Sequence, residues 1–169
     1  MIEFQSLMGE FGKPQALRGR WRTLNNAAVP NVNELNDGEV NWLFRHAECH
    51  IGAFEGEILV GLLLILPGTP NRLAYDSANY DWFCSRFDAF SYVDRILVDP
   101  AYHRQNIGRG LYQAAFTELG ANTITSEVNK RPANAPSLAF HQKMGFREID
   151  DFENPQSGKL VSMMMKPGS

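Results

Sequence analysis

The run ILVGLLLIL, residues 58 to 66, limits the folds open to this chain more than any other stretch. These nine residues lack the in–out alternation of a half-exposed strand. They also fall far short of the ~20 apolar residues a membrane-spanning helix needs. The run fits a strand buried on both faces, which calls for packed layers above and below it. A mixed α/β architecture follows.

The surrounding pattern predicts what those layers are. Ile2 to Leu7 reads as a short first strand, and residues 14 to 26 as a weak helix. Asp37 can cap a helix running to about Glu48, with Val40, Leu43, Phe44 and Ala47 on one face. CHIGAFEGEILVGLLLIL predicts two antiparallel strands joined at Glu55-Gly56. Residues 67 to 89 form a long aromatic connection with a short helix around Asn79 to Arg86, and residues 90 to 98 form a strand closed by Pro100. From Ile107, the spacing of Leu111, Ala115 and Leu119 predicts a helix burying one stripe. NTITSEV is a strand, APSLAFHQKM a helix ended by Gly145, and FREIDDF with LVSMMMK a closing antiparallel pair. The expected fold is a mixed, mostly antiparallel central sheet with helices on both faces, in a single domain spanning residues 1–169.

Composition excludes several partners. A net charge of −3 over 169 residues gives no excess of cations for nucleic acid or an anionic membrane surface. The first 20 residues lack the apolar core of a secretory signal, and two cysteines without ligand spacing suit a reducing compartment. A cytoplasmic protein is expected. His46, His50 and His103 form no ligand pattern, so no metal is expected. Met163, Met164 and Met165 read as strand packing.

The stretch PAYHRQNIGRGLYQAAF, residues 100 to 116, carries the chemistry. A polar loop follows a strand, and Gly108 and Gly110 stand at the start of a helix. The first turn of a helix has N–H groups with no internal partner, and glycine lets a phosphate approach them. Arg104 and Arg109 add charge. The P-loop lysine and hydroxyl are missing, and the spacing is not that of a dinucleotide fold.

Together with NAPSLAFHQKMGF, residues 134 to 146, this stretch resembles the GCN5-related N-acetyltransferase (GNAT) superfamily. VDPAYHRQNIGRGL follows that family's V-x-P-x-x-R/Q-x-x-G-x-G/A. Asn134, Ser137, Phe140, Gly145 and Phe146 meet its N-x-x-A/S-x-x-L/F-Y-x-x-x-G-F. The resemblance covers residues 90 to 165 well and the first half only by element order. It places His103 at the leading Arg/Gln and Asn106 at the first glycine, and asparagine tolerates the left-handed backbone that glycine would supply. A second register, Gln105-x-x-Gly108-x-Gly110, keeps the letters but loses the spacing from Pro100.

The resemblance implies an acetyl-CoA-dependent N-acetyltransferase acting on a small-molecule or peptide amine, with coenzyme A as the acyl carrier. It implies that Ile96, Leu97 and Val98 lie along the pantetheine arm, with the amides of Ile96 and Val98 binding it. The pyrophosphate falls to the loop of His103, Arg104, Gln105, Asn106, Ile107, Gly108, Arg109 and Gly110, and Asn134, Ser137 and Phe140 flank the cofactor. His141 replaces the family tyrosine that protonates the departing thiolate, and is expected to act as that general acid. An amine with a pKa of about 10.4 must lose a proton to react at neutral pH, and a positioned carboxylate lowers that cost.

Asp94 and Glu127 are the candidates for that base. Asp94 is preferred because it lies two residues before Ile96 on the strand expected to carry the thioester, with Glu127 placed to hold a relay water or orient the amine. Alternation puts Asp94 on a face with Tyr92 and Ile96, and Glu127 on a face with Thr125 and Asn129. Asp94 can equally serve only as an ion-pair partner of Arg95. Tyr75, Tyr80, Trp82 and Phe83 suit either an acceptor pocket or a core cover. A non-catalytic acyl-CoA sensor or partner-binding module is the competing reading. Acceptor identity and oligomeric state, a homodimer included, stay open.

Overall fold

A computed structural model describes residues 1–9 and 15–168 of the chain. Its strands form a seven-stranded sheet in the order β1-β2-β3-β4-β5-β7-β6: β1 Ile2–Ser6, β2 Cys49–Glu55, β3 Ile58–Pro67, β4 Ser91–Val98, β5 Ile124–Arg131, β6 Arg147–Glu153 and β7 Leu160–Lys166. The helices are α1 Gln15–Ala27, α2 Asp37–His46, α3 Ala78–Cys84, α4 Ile107–Leu119 and α5 Ala135–Lys143. β4 and β5 pair in parallel, while β1–β2, β2–β3, β5–β7 and β6–β7 pair antiparallel, so the sheet is mixed and mostly antiparallel as expected. By their contacts the described residues fall into two compact units, Met1–Leu66 with Asp94–Leu119, and Pro67–Val93 with Gly120–Ser169.

In the first unit the apolar run is a buried strand from Leu59 to Leu66, while Ile58, beside the turn, is exposed. Val60, Leu62, Leu63, Leu64, Ile65 and Leu66 are all fully buried. Neighbouring residues of β2 show what covers the two faces. Cys49 reaches Glu118 of α4, while His50 reaches Trp21 of α1 and Phe44 of α2. Successive strand residues point to opposite faces, so α4 lies on one side and α1 and α2 on the other. Gly61 breaks the run where α4 crosses it, because a Cβ there would sit 3.1 Å from Ile107.

Local chemistry shifts several expected boundaries. The cap of α2 is Asn36, not Asp37: its side chain accepts from the Glu39 N–H at 3.0 Å while Glu39 accepts from the Asn36 N–H at 2.8 Å. This capping box satisfies two end groups at once and leaves Asp37 as a first-turn acid. The helix stops at His46, with Ala47 its C-cap rather than part of its apolar face. The β2–β3 turn is Gly56-Glu57, one residue later than expected, with Gly56 at φ +58° and Glu55 paired to Ile58. The expected helix at residues 14 to 26 corresponds to α1, residue 14 lying outside the described residues. Leu119, expected on the buried stripe of α4, is only half-buried at its end.

The second unit contains the aromatic connection. Ser77 caps α3, which starts at Ala78, one residue ahead of the expected start, and closes at Cys84, two residues before the expected end. Tyr80 and Phe83 are fully buried and Trp82 nearly so, and Tyr80 packs against Tyr75, Phe90 and Tyr92. Tyr80, Trp82 and Phe83 are core, while Tyr75 is half-buried. β7 runs between β5 and β6, with Ser162, Met163 and Met164 fully buried. β6, carrying Arg147, Glu148, Asp150, Asp151 and Glu153, takes the edge, where charge discourages further pairing.

Candidate active site

The glycine-bearing stretch folds as one 3-10 turn, Pro100–Tyr102, then a short loop, then α4. Two non-glycine residues of that loop are left-handed, Arg104 at φ 64° and Asn106 at φ 60°. Left-handed residues in such a loop turn backbone N–H groups into an anion-binding concavity. Asn106 accepts the first bond of α4, from the Gly110 N–H at 3.0 Å, so the open N–H end of the helix begins at Ile107. The side chain of Ile107 is buried, whereas His103, Arg104, Gln105, Asn106 and Arg109 are exposed. The His103 ring pins the loop to β4 through a 3.0 Å bond between Nε2 and the Val98 carbonyl.

Gly110 has a different environment. A Cβ at this position would overlap the ring of Phe4 on β1, so glycine here lets α4 approach the sheet. Ile96 and Val98 are half-buried along β4 and Leu97 is buried.

The two candidate carboxylates have unlike surroundings. Asp94 accepts from Arg95 Nε at 2.6 Å, with the two side chains only 3% and 4% exposed. Arg95 continues to the side-chain Oδ1 of Asn25, donating through Nη1. In the second unit, Glu127 Oε1 accepts from the Tyr92 hydroxyl at 2.8 Å and from Asn79 Nδ2 at 3.1 Å.

α5 presents the second motif. Asn134 is its N-cap, accepting from the Ser137 N–H at 3.4 Å. His141 is buried, edge-on to Phe140 and Phe146. Its Nδ1 lies 2.8 Å from the Ser137 carbonyl oxygen, which can only accept, so the ring proton sits on Nδ1. Nε2 faces the Ser126 hydroxyl at 3.4 Å. Burial holds the imidazole below its ordinary pKa, so the neutral ring is the form favoured near neutral pH.

Within the second unit, then, the fold gathers Glu127 and Tyr92 on one side of β5 and His141 with Ser137 on α5. Asp94 and the 103–110 loop belong to the first unit. Sequence reading missed Tyr92 and Asn79 as partners of Glu127. Tyr92 was legible only with the register: it pairs with Thr125 in the parallel β4–β5 ladder, and Glu127 is two residues further on the same face. Asn79 carries no sequence signal. Among the described residues no cluster of three or more His, Cys, Asp or Glu side chains is arranged to hold a metal, and no helix is long and apolar enough to cross a membrane.

Comparison with known proteins bears on family and fold. A 56-residue segment is 41% identical to the ribosomal protein bS18-alanine N-acetyltransferase of Escherichia coli, covering 31% of this chain and 36% of that protein. The match therefore spans well under half of that relative's length. The crystal structure of the Escherichia coli ribosomal-protein-S18-alanine N-acetyltransferase superposes with a TM-score of 0.68 at 16% identity, covering 100% of this chain and 95% of that one. Arabidopsis thaliana NAA60 in complex with acetyl-CoA gives 0.71 at 14% identity, over 99% and 98% of the two chains. At these identities the structural matches bear on the fold. The sequence model of the Acetyltransferase (GNAT) family matches residues 18–146, and the chain belongs to that family.

Proposed function

We propose that the chain is an acetyl-CoA-dependent N-acetyltransferase that moves an acetyl group to a primary amine by direct transfer in a ternary complex. The observation carrying this reading is the pair of left-handed residues, Arg104 and Asn106, leading into the open N–H end of α4. Such a loop suits a pyrophosphate, with the N–H groups of Ile107, Gly108 and Arg109 as donors and the exposed Arg104 and Arg109 as counter-charges. The edge of β4 at Ile96 to Val98 suits the amide-bearing pantetheine arm. Asn134, Ser137 and Phe140 are proposed to flank the cofactor from α5.

The donor supplies an activated acetyl carbonyl, and this chain's residues supply orientation and proton transfer. The amine nitrogen forms the new C–N bond, the C–S bond breaks, and the ammonium proton leaves to a base. Holding an alkyl amine neutral at pH 7 costs about 4.6 kcal/mol, which a carboxylate in reach lowers. We assign that base to Glu127, directly or through one water. Taking a proton on Asp94 would instead break a buried ion pair with Arg95. The thiolate, with a pKa of about 8.5, takes up the released proton from solvent or from the acid formed on Glu127. His141 is neutral, with its proton committed to Ser137, and in this reading it fixes α5 against β5 rather than donating.

The relative named for a protein alanine supports a peptide amine as acceptor, with small amines the other class. Both cysteines are free thiols, which suits a cytoplasmic setting. Free-thiol release from acetyl-CoA in the presence of a broad amine panel tests the assignment. Amine-dependent release is expected. Coenzyme A binding with no release on any amine would favour a sensor, and preferential binding of ATP or NAD would remove the coenzyme A reading.

A further inference from the structure

The carboxylate of Glu127 is the end of a chain of oriented amides. Asn154, at the start of the β6–β7 turn, is buried, and its Oδ1 accepts from the N–H groups of Gln156 at 2.8 Å and Ser157 at 3.1 Å. Oxygen being fixed there, its Nδ2 must face outward, and it donates to Asn79 Oδ1 at 2.8 Å. That contact in turn orients Asn79, whose Nδ2 donates to Glu127 Oε1. Only an acceptor fits opposite this last donor, and the Tyr92 hydroxyl donates to the same oxygen. Both contacts therefore hold Oε1 as an acceptor.

The turn is tied to the start of α3 a second time. Gln156 accepts from the Ala78 N–H and donates to Asp76, each at 2.8 Å. Asn79 is therefore held both by its helix and by the turn opposite.

We propose that Asn79, oriented by Asn154, is a positioning residue that holds the Glu127 carboxylate in the rotamer from which it takes the acceptor proton, so that the β6–β7 turn sets the base. This inference rests on the assignment of Glu127 as the base. A misplaced catalytic group can cost up to ~100-fold in rate, which leaves room for a large effect from one amide.

The test combines kinetics with crystallography of the full chain. Asn79→Ala, Asn79→Gln, Glu127→Gln and the Asn79→Ala/Glu127→Gln double variant are assayed with acetyl-CoA. The acceptor is the fastest among an alanine-starting peptide, a lysine peptide and small alkyl amines. Asn79→Ala is expected to lower kcat roughly 10- to 100-fold with KM for acetyl-CoA within about twofold, and Asn79→Gln to recover part of it. The double variant should be no slower than Glu127→Gln alone, since both changes act on one function. Crystals of Asn79→Ala should show Glu127 turned away from the Tyr92 hydroxyl. Should that variant fail to fold, Asn79→Ser, whose hydroxyl is too short to reach Glu127, is read the same way.

A slow Glu127→Gln beside an Asn79→Ala enzyme of wild-type kcat overturns the positioning role alone. A Glu127→Gln enzyme at the wild-type rate overturns the base assignment and this inference with it. If no acceptor on the panel turns over, an unmoved Glu127 carboxylate in the Asn79→Ala crystal overturns the positioning role.

Discussion

The indole N–H of Trp21 donates to Nε2 of His50 at 2.9 Å, with the two rings edge to face at 89°. An acceptor nitrogen carries no proton, so the ring proton of His50 lies on Nδ1, buried and without a hydrogen-bond partner. With Phe44 packed 4.5 Å away, the site has no room for a hydrated imidazolium. Burial lowers the His50 pKa from 6.5 to about 3.

This placement gives the fold an acid sensitivity of defined sign. Between pH 6.5 and about 3 the unfolded chain binds a proton at His50 that the folded chain does not. Stability is therefore complete above that window and falls as the pH drops through it, by up to about 4–5 kcal/mol. Denaturant midpoints measured from pH 7.5 to 4 should fall steadily for the natural protein. His50→Leu should start lower, by about 1–3 kcal/mol, because the Trp21 N–H loses its acceptor, and should show a shallower slope. An unchanged slope in the variant would exclude His50 as the source. His141, also lowered by burial, adds a contribution of the same sign.

In the proposed cofactor loop, two positions either side of Ile107 should respond differently to substitution. Gly108→Asp puts bulk and negative charge in the first turn of α4 and should abolish coenzyme A binding by calorimetry. Asn106→Gly should bind as the natural protein does, because glycine adopts φ 60° without cost. Asn106→Val should lose about 1–2 kcal/mol of stability from the strained backbone. Unchanged affinity in Gly108→Asp would remove the phosphate-cradle reading.

Gly110 separates packing from binding within the same motif. An added methyl group collides with the ring of Phe4, an exposed residue whose side chain is able to swing outward. Gly110→Ala should cost about 1–3 kcal/mol in thermal or denaturant unfolding while leaving coenzyme A affinity intact. Combined with Phe4→Ala, the two losses should be less than additive, since the second change removes the obstacle. A loss of affinity without a loss of stability would return Gly110 to the cofactor site.

How far the sequence could be read depended on whether a signal was local. Periodicity and composition carried the double-sided burial of residues 59 to 66 but not the exposure of Ile58 beside the turn, and the tolerance of asparagine for left-handed backbone anticipated Asn106. The cap of α2 went to Asn36 because a reciprocal bond with Glu39 outweighs a single acid one residue later. The passage of β7 between β5 and β6 depends on which strand can face the edge. The charges of Arg147–Glu153 show that preference only once both strands are known to share the sheet. The site was legible as motifs and illegible as partnerships. Nothing near Asn79 in the chain points to Glu127, 48 residues later, or to Asn154, 75 residues later, because only the folded unit brings them together.

The choice between the two carboxylates gives the last prediction. Asp94 and Arg95 neutralise each other where almost no water reaches, with side chains 3% and 4% exposed. Asp94→Asn keeps the shape but removes the carboxylate charge that pairs with Arg95, and breaking such a buried pair costs about 3–5 kcal/mol. The variant should therefore unfold at lower denaturant while its folded fraction keeps the natural dependence of kcat/KM on pH. Glu127→Gln should behave in the opposite way. Its stability should change little, its rate should fall most at neutral pH, and raising the pH should restore part of the rate as solvent deprotonates the amine. The rate loss should lie within the roughly 10²–10⁴-fold range of acid–base catalysis. Parallel unfolding curves and pH–rate profiles of the two variants check this. If Asp94→Asn instead shows the alkaline rescue and Glu127→Gln only a raised acceptor KM, the base is Asp94, and its pairing with Arg95 must open during turnover.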